Sequence, residues 1–359
     1  MWPVIKADAY GHGSVPVGEA LRVAGAEALC VATLDEALEL REGGVDGPIL
    51  VLYPIPVARV DTAARAWLTL SVTSERSARE LAGAASAIPS RQRVGVHLEV
   101  ETGLTRDGVR PDRAAAIARL IDSTPHLSLE GVWSHLASPE DAAATQRQVE
   151  RFDVAVDGIR AAGIDVPMRH LAATGALLTA QAAGYEVVRP GLAVYGIVPA
   201  GLPRPATQQT LRPAMRLVAR AVRVEEVPKG TAVSYGGRWV ATRRSRIATL
   251  PVGYGDGFVR AYGDRLGAIV RGRRAPIVGV VAMDATMVDV TDVPDVSDDD
   301  EYVLLGRQGD EEIDAGELAE ARSTIAWEVL ASMARRLPRV YHAATRAVRV
   351  RTLEEDRPA

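Results

Sequence analysis

The segment Trp2-Pro-Val-Ile-Lys-Ala-Asp-Ala-Tyr-Gly-His-Gly13 opens the chain with a short apolar run that ends at a lysine. Val4–Lys6 is typical of a buried strand, and the amphipathic stretch Val15–Ala24 predicts a helix after it. Lys6 would then lie at the C-terminal end of a strand, where parallel α/β folds carry functional side chains. The segment therefore predicts a first strand–helix unit and a candidate reactive amine.

Lysine is rare in this chain. Lys6 and Lys229 are the only two lysines, beside 40 arginines. Most lysines are solvated surface charges. Arginine barely deprotonates, however, whereas a desolvated lysine can form an imine and can accept a proton. A lysine kept at the end of an apolar run, before Tyr10-Gly-His-Gly13, indicates covalent amine chemistry.

Composition excludes several classes of protein. The chain has 359 residues, enough for about two domains, and 47% of them are apolar. The net charge of −4 gives no basic surface for nucleic acid. Cys30 is the only cysteine, which fits a reducing compartment. Neither a membrane-spanning run nor a signal peptide is visible, so we predict a cytoplasmic protein without membrane partner or metal site.

The first two hundred residues alternate between strand-like and helix-like segments. The predicted strands are Val4–Lys6, Ala28–Thr33, Ile49–Tyr53, Leu68–Val72, Val94–Val100, Leu129–His135, Met168–Ala172 and Val187–Arg189. The predicted helices are Val15–Ala24, Asp35–Glu42, Val57–Ala66, Glu75–Ala87, Pro111–Ser123, Ala142–Ala161 and Ala176–Ala183. Strand–helix alternation predicts a parallel sheet, and eight strands at this spacing predict a (β/α)8 TIM-type barrel.

Seven helices for eight strands leave the first strand without a helix before it. The chain starts almost at Lys6. We therefore expect either a sequence that begins late or a barrel with one uncovered face.

The second part of the chain is predicted to be mostly β. We place the barrel in residues 1–209 and the β domain in residues 210–359. Predicted strands are Arg220–Val227, Arg246–Val252, Ala268–Val270 and Pro276–Val281, and predicted helices are Ala315–Ala321 and Thr324–Arg335. The acidic run Asp298–Glu301 is interpreted as a solvated loop.

Seven motifs, in the same order along nearly the whole chain, resemble those of the bacterial alanine racemases. They are Val4-Ile-Lys-Ala-Asp-Ala-Tyr-Gly-His-Gly13, Thr102-Gly-Leu-Thr-Arg106, Arg189-Pro-Gly-Leu-Ala-Val-Tyr-Gly196, Val233-Ser-Tyr-Gly236, Gly253-Tyr-Gly-Asp-Gly257, Met283-Asp284 and Arg336-Leu-Pro-Arg-Val-Tyr341. The resemblance implies a pyridoxal 5'-phosphate (PLP) barrel followed by a β domain. It also implies a homodimer with shared active sites that interconverts L- and D-alanine for peptidoglycan.

The resemblance assigns two catalytic residues. Lys6 would hold PLP through its amine and move a proton on one face of the substrate. Tyr235 of the partner subunit would serve the other face. Because a free tyrosine has a pKa near 10, its role as a base requires positive surroundings.

The remaining roles follow from the same motifs. The implied PLP-binding residues are Lys6, Tyr10, His135, Thr174, Arg189, Gly191, Leu192 and Trp327. The implied substrate-binding residues are Arg106, Met283 and Tyr254. Supporting roles are implied for Glu99, His170 and Asp284. Arg189 matches the residue at the pyridine nitrogen; since arginine does not readily give up a proton, it favours racemisation over decarboxylation.

Three positions depart from the family pattern. Glu99 replaces a carbamylated lysine that pairs with the arginine at position 106, and we hypothesise that it orients Arg106 without CO2. Ala173-Thr174 replaces Asn-Ser, which keeps the hydroxyl and loses the amide. Trp327 replaces a tyrosine near the cofactor phosphate.

The residues leave further functions open. A PLP decarboxylase of basic amino acids would need a carboxylate at position 189 and a C-terminal catalytic cysteine. A single-domain PLP carrier would not need the second domain. A racemase of serine or another small amino acid would carry the same motifs, and so would a truncated inactive homologue.

Overall fold

Two compact units make up the chain. The computed structural model describes residues 1–88, 93–181, 184–202 and 211–358. The first unit comprises Met1–Ala9 and Gly13–Leu211, and the second comprises Tyr10–His12 and Arg212–Ala359.

The first unit is built on a parallel sheet whose seven strands follow one another in chain order. They are β1 Leu29–Val31, β2 Ile49–Val51, β3 Leu68–Val72, β4 Val94–Glu99, β5 Leu127–Trp133, β6 Met168–Ala173 and β7 Val187–Arg189. β1 to β4 are almost wholly buried, which explains why their sequences are continuous apolar runs without polar alternation. The predicted α/β barrel is confirmed.

Residues 2–5 fill the gap between the two edge strands. The Trp2 N–H donates to Val188 O at 2.9 Å and the Val4 N–H donates to Pro190 O at 2.8 Å. On the other side, the Ile5 N–H donates to Cys30 O at 2.8 Å. The apolar run at the start of the chain therefore closes the barrel as an eighth strand-like segment.

The predicted strand Val4–Lys6 is wrong at its end. Only Val4 forms a β-bridge, which pairs it in parallel with Cys30. Lys6 instead begins a turn, Lys6–Tyr10, in which residues 7–10 all have φ between +50° and +54°. The chain thus leaves the barrel through a left-handed turn immediately after Ile5.

Helices connect successive strands of the barrel. They are α1 Ser14–Val23, α2 Leu34–Glu42, α3 Val60–Arg65, α4 Glu75–Ser86, α5 Pro111–Asp122, α6 Ala142–Ala161 and α7 Thr174–Thr179, with 3-10 turns at Val57–Arg59 and Leu192–Tyr195. The predicted helix Ala176–Ala183 in fact begins at Thr174 and ends at Thr179, and its last two predicted residues lie outside the described residues. Its C-cap, Ala180, has φ +56°, which stops the helix.

The second unit consists mainly of antiparallel sheets. Its strands are β8 Leu217–Arg220, β9 Arg223–Val227, β10 Ala232–Val233, β11 Trp239–Val240, β12 Ser245–Leu250, β13 Gly267–Val270, β14 Arg273–Pro276, β15 Thr286–Asp289, β16 Glu301–Gln308, β17 Glu311–Ile313, β18 Arg339–Ala343, β19 Arg346–Arg351 and β20 Asp356–Pro358. Its helices are α8 Ala315–Ala321 and α9 Ala326–Ala331. Short 3-10 turns lie at Tyr235–Gly237, Tyr254–Asp256 and Arg260–Tyr262.

Several boundaries in this unit differ from the sequence prediction. Pro276–Val281 is not one strand, because β14 ends at Pro276 and only Ile277 bridges to Val288. The predicted helix Thr324–Arg335 shrinks to α9, which is capped at Ser332. Glu301, predicted to lie in an acidic loop, begins β16. Most of these strands have two to five residues, which is too short for periodicity to reveal.

Within the described part of the chain, no helix combines the length and the apolar character needed to cross a membrane.

Candidate active site

Lys6 stands at the start of the left-handed turn. For L-residues this conformation costs about 1–2 kcal/mol per residue, so contacts with the rest of the fold must hold it. The Ser14 N–H donates to Asp8 Oδ1 at 3.0 Å, and the Ala7 N–H donates to Glu36 Oε1 at 2.6 Å. These two carboxylates anchor both sides of the turn that presents the amine.

The surroundings of Lys6 favour its neutral amine. Burial is the largest cause that lowers the pKa of Lys6, and the positive charges of Arg106 and Arg189 lower it further. The carboxylate of Glu36 acts in the opposite direction. Lowering the pKa increases the share of neutral amine, which is the form that acts as a nucleophile and as a proton acceptor.

Arg189, the last residue of β7, is among the largest fully buried side chains of the described residues. Its NH1 donates to His170 Nδ1 at 2.6 Å and to His170 O at 3.0 Å. Its NH2 donates to Ser134 O at 2.7 Å. The guanidinium also lies over the Trp133 ring, 4.7 Å from its centroid. Arg189 is therefore a buried cation in one fixed orientation.

Two buried histidines, His170 and His97, form a chain of hydrogen bonds that begins at Arg189. His170 Nε2 lies 2.7 Å from His97 Nδ1, and both rings are fully buried. Burial, together with the charge of Arg189, lowers the pKa of His97 to about 3 and lowers that of His170 well below its usual value. Both histidines are neutral at physiological pH, so the cluster of Arg189, His170 and His97 carries one positive charge, on Arg189.

His135 follows β5 and also contacts Arg189. Arg189 NH2 donates to His135 Nδ1 at 3.4 Å. Burial, and then the charges of Arg189, Arg106 and Lys6, lower the pKa of His135 to about 3. This ring is a neutral, partly exposed surface next to Arg189, and it lies within the electrostatic influence of Lys6.

Glu99 ends β4 with 3% of its surface exposed. Its Oε1 lies 3.8 Å from Arg106 NH2. Burial is the main cause that raises the pKa of Glu99 to about 7, although Arg106 opposes this shift. At 3.8 Å the carboxylate is within ion-pair distance of Arg106, but it is too far away for a direct hydrogen bond.

Thr174, at the start of α7, faces the loop after β7. Its Oγ1 accepts from the N–H of Gly191 at 2.9 Å and from that of Ala193 at 3.3 Å. Leu192 begins the 3-10 turn between these two residues and is fully buried. The Thr174 hydroxyl, as acceptor, thus ties the loop after β7 to the start of α7.

Tyr254, Met283 and Asp284 lie on two adjacent loops of the second unit. The Gly255 N–H donates to Met283 O at 2.9 Å, which joins the loops. Arg336 strengthens this contact, since its Nε donates to Asp256 Oδ1 at 2.7 Å and its NH2 donates to Asp284 Oδ1 at 2.6 Å. Met283 and Tyr254 remain partly exposed at 52% and 38%.

Three other aromatic candidates belong to the second unit. Tyr235 is 72% exposed and follows Ser234, whose hydroxyl donates to Val280 O at 2.6 Å. Tyr10 is buried, and its carbonyl accepts from His12 Nδ1 at 2.9 Å. Trp327 is half-buried near the start of α9. Tyr235 is therefore a surface residue of the isolated chain.

Sequence reasoning did not identify His97, Trp133 or Glu36 as parts of the site. A signal for His97 was present, because residues 97 and 99 share a face of β4 and position 99 was already a candidate. Trp133 and Glu36 gave no comparable signal. Their contacts with Arg189 and with residue 7 depend on how the strands and helices meet in space.

A barrel with a lysine amine, a buried arginine and neutral histidines at its strand ends has the arrangement of an α/β-barrel enzyme, whose active site lies at the strand ends. The chain matches the family models "Alanine racemase, N-terminal domain" over residues 1–199 and "Alanine racemase, C-terminal domain" over residues 214–341. It belongs to the alanine racemase family.

Individual relatives agree with the family models. The chain is 39% identical over 341 residues to an alanine racemase of Halothermothrix orenii, covering 94% of this chain and 89% of that protein. It is 40% identical over 350 residues to an alanine racemase of Sorangium cellulosum, covering 95% and 91%. The crystal structure of the Bacillus anthracis alanine racemase with bound L-Ala-P matches with a TM-score of 0.89 at 32% identity, covering 98% of this chain and 90% of that one.

Proposed function

We propose that this chain is a PLP-dependent amino-acid racemase that interconverts L- and D-alanine by moving the α-proton between two bases. The observation that carries the proposal is the half-buried Lys6 amine, whose pKa is lowered by burial and by the positive charges of Arg106 and Arg189. Membership of the alanine racemase family supports the same reaction. A cytoplasmic location and a role in supplying D-alanine for peptidoglycan belong to this proposal.

The side chains of the barrel fit the chemistry of PLP. Lys6 supplies an amine for its aldehyde, and neutral His135 offers a flat ring beside that amine. The hydroxyl of Thr174 and the backbone N–H groups of Gly191 and Leu192 would supply hydrogen-bond donors suited to a phosphate. When bound, PLP delocalises the negative charge left on the substrate after loss of the α-proton.

Different residues of this chain would transfer the proton, bind the substrate and orient the site. Lys6 Nζ takes or returns the proton on one face, and the hydroxyl of Tyr235 of the partner subunit does so on the other. Arg106, approached by Glu99, holds the substrate carboxylate together with the backbone of the partner subunit's Met283. Arg189 keeps its own protons because its NH1 and NH2 already donate to His170 and Ser134. The homodimer is part of the proposal, since Tyr235 must come from a second copy.

Trapping with borohydride tests the role of Lys6. The purified chain, supplied with PLP, should be reduced and digested, and the labelled peptide should contain Lys6. Lys229 provides an internal control because it is the only other lysine. Label on Lys229, or on neither lysine, would refute the proposal.

An assay of D/L interconversion tests the reaction and its range. L-alanine should racemise, and Lys6→Arg should abolish the activity while Lys229→Arg leaves it unchanged. Serine should be assayed in parallel. If serine racemises faster than alanine, serine rather than alanine is the preferred substrate. Tyr235→Phe should slow the exchange of the α-proton from one enantiomer far more than from the other.

A further inference from the structure

Glu36 links the lysine turn to the first helix of the barrel that follows β1. Its Oε1 accepts from the Ala7 N–H at 2.6 Å. Its Oε2 accepts from the N–H groups of Ala32 at 2.8 Å and of Thr33 at 3.0 Å. One carboxylate therefore joins the residue after the candidate catalytic lysine to the loop between β1 and α2.

The turn needs such an anchor. Four consecutive residues after Lys6 have positive φ, and none of them is a glycine. At about 1–2 kcal/mol each, their backbone cost is large enough to move the turn toward ordinary conformations if its contacts are lost. The Ala7 N–H is the first donor after Lys6, so its acceptor fixes the direction in which the lysine leaves the barrel.

The charge of Glu36 also suits this position. Lys6 lies in the field of Arg106 and Arg189, which both oppose its protonation, and beside the neutral ring of His135. Glu36 is the acidic group that acts on Lys6 in the opposite direction. The carboxylate is thus placed to influence both the geometry and the proton affinity of the amine.

We propose that Glu36 is a positioning residue for Lys6, which holds the left-handed turn through the Ala7 N–H and thereby aims the amine into the active site. This inference rests on the proposed role of Lys6 in catalysis. Glu36 acts through the backbone and does not itself touch the substrate.

The substitution Glu36→Gln distinguishes the anchoring of the left-handed turn from the capping of α2. Glu36 also forms a capping box with Thr33 at the start of α2. Glutamine can serve in a capping box. Its side chain, however, has a single acceptor oxygen and an amide that only donates, so it cannot accept from both Thr33 and Ala7. Glu36→Gln should therefore keep the cap and lose the anchor of the turn.

The matched control is Glu42→Gln, which removes the same charge from an exposed position at the end of α2. For Glu36→Gln we expect kcat to fall by about tenfold or more, because the reacting amine is misplaced. KM should change by less than about twofold, since substrate contacts remain. The midpoint of thermal unfolding should stay within about 2 °C of the parent. Glu42→Gln should change none of the three.

A second measurement does not depend on activity. Competitive acetylation of the cofactor-free full-length chain across pH reports the titration of the Lys6 amine, with Lys229 as the internal reference. Glu36→Gln should lower the midpoint for Lys6 and leave that for Lys229 in place, whereas Glu42→Gln should move neither.

The two measurements separate the possible failures. An unchanged Lys6 midpoint in Glu36→Gln, or a fall in kcat that is matched by a fall in thermal stability, would overturn the positioning role. A parent chain without racemase activity would instead refute the proposed function, while the acetylation result would still decide whether Glu36 controls the amine.

Discussion

Arg189 NH1 lies 2.6 Å from His170 Nδ1, and this one contact determines where the protons of two buried histidines lie. A guanidinium can only donate, so His170 Nδ1 must be the acceptor and its proton must be on Nε2. That Nε2–H then donates to His97 Nδ1 at 2.7 Å. The proton of neutral His97 is consequently on its own Nε2, which is buried without a hydrogen-bond partner among the described residues.

His97 should make the folded protein sensitive to mild acid. Its pKa is lowered to about 3 in the folded state, and a free histidine has a pKa near 6.5. Between these values the unfolded chain binds a proton that the folded chain does not, so stability falls as pH drops below 6.5. His97→Asn keeps an acceptor near the position of Nδ1 and removes the titration. Urea unfolding from pH 7.5 to 5 should then show a slope that is smaller by at most about 1.4 kcal/mol per pH unit.

An identical pH slope in His97→Asn would contradict this account of the buried histidines. His126→Asn provides the comparison, because His126 is a half-buried residue just before β5 and takes no part in the hydrogen bonds that join Arg189, His170 and His97. The effect assigned to His97 is the difference in slope between these two variants.

Arg189→Lys should destabilise the barrel although the charge is retained. A lysine cannot donate simultaneously to His170 and Ser134 with a rigid fork. The change leaves buried acceptors unpaired, and we expect a loss of about 3 kcal/mol in the free energy of unfolding. Urea unfolding measures this loss. Arg169→Lys, which alters a more exposed arginine paired with Glu186 at 2.7 Å, should cost less than about 1 kcal/mol.

Glu99→Gln should stabilise the protein at alkaline pH and weaken its catalysis there. Because burial raises the pKa of Glu99 to about 7, ionisation is disfavoured in the folded state. This penalty is absent below about pH 4.5, grows as pH rises and is complete above pH 7. At pH 8.5 the variant should therefore unfold with a free energy higher by up to about 3 kcal/mol, and at pH 4 it should match the parent.

The kinetic part of this prediction tests the hypothesis that Glu99 orients Arg106. In the parent, kcat/KM should rise as pH increases through about 7 and the carboxylate becomes charged. Glu99→Gln should remove that limb of the profile and raise KM, and added bicarbonate should affect neither protein. Unchanged kcat and KM in the variant would show that Glu99 has no orienting role.

Gly11→Ala should be strongly destabilising. Gly11 has φ +76°, and a Cβ at this position would lie 2.2 Å from the carbonyl oxygen of Leu330. The substitution combines backbone strain with a clash against rigid backbone, so we expect a loss of about 3 kcal/mol or more. Gly230→Ala is the control, since its φ is +91° but no described atom lies within 4 Å of the new Cβ. Equal losses in thermal or urea unfolding would show that only the strain matters.

The sequence predicted the barrel because its strands are buried on both faces and its helices carry clear amphipathic patterns. Both patterns are local, so they can be recognised without knowing which strands and helices pack against one another. Lys6 could be identified from its place at the end of an apolar run, whereas Arg189 was identified through the resemblance of its motif to that of the alanine racemases. The β domain was predicted as a class only, since strands such as β10 and β11 have two residues each and obtain their structure from pairing.

By itself, the sequence determined the order of the elements and the type of fold, because hydrophobic periodicity is a property of neighbouring residues. The candidate site residues came mainly from the resemblance of its motifs to those of the alanine racemases. Only the tertiary structure decided that residues 2–5 close the barrel, that Lys6 leaves it through a left-handed turn held by Glu36, and that Arg189 sets the protons of His170 and His97. These relationships join residues far apart in the chain. Their energies depend on distance, burial and hydrogen-bond direction, which exist only once the strands and helices have packed.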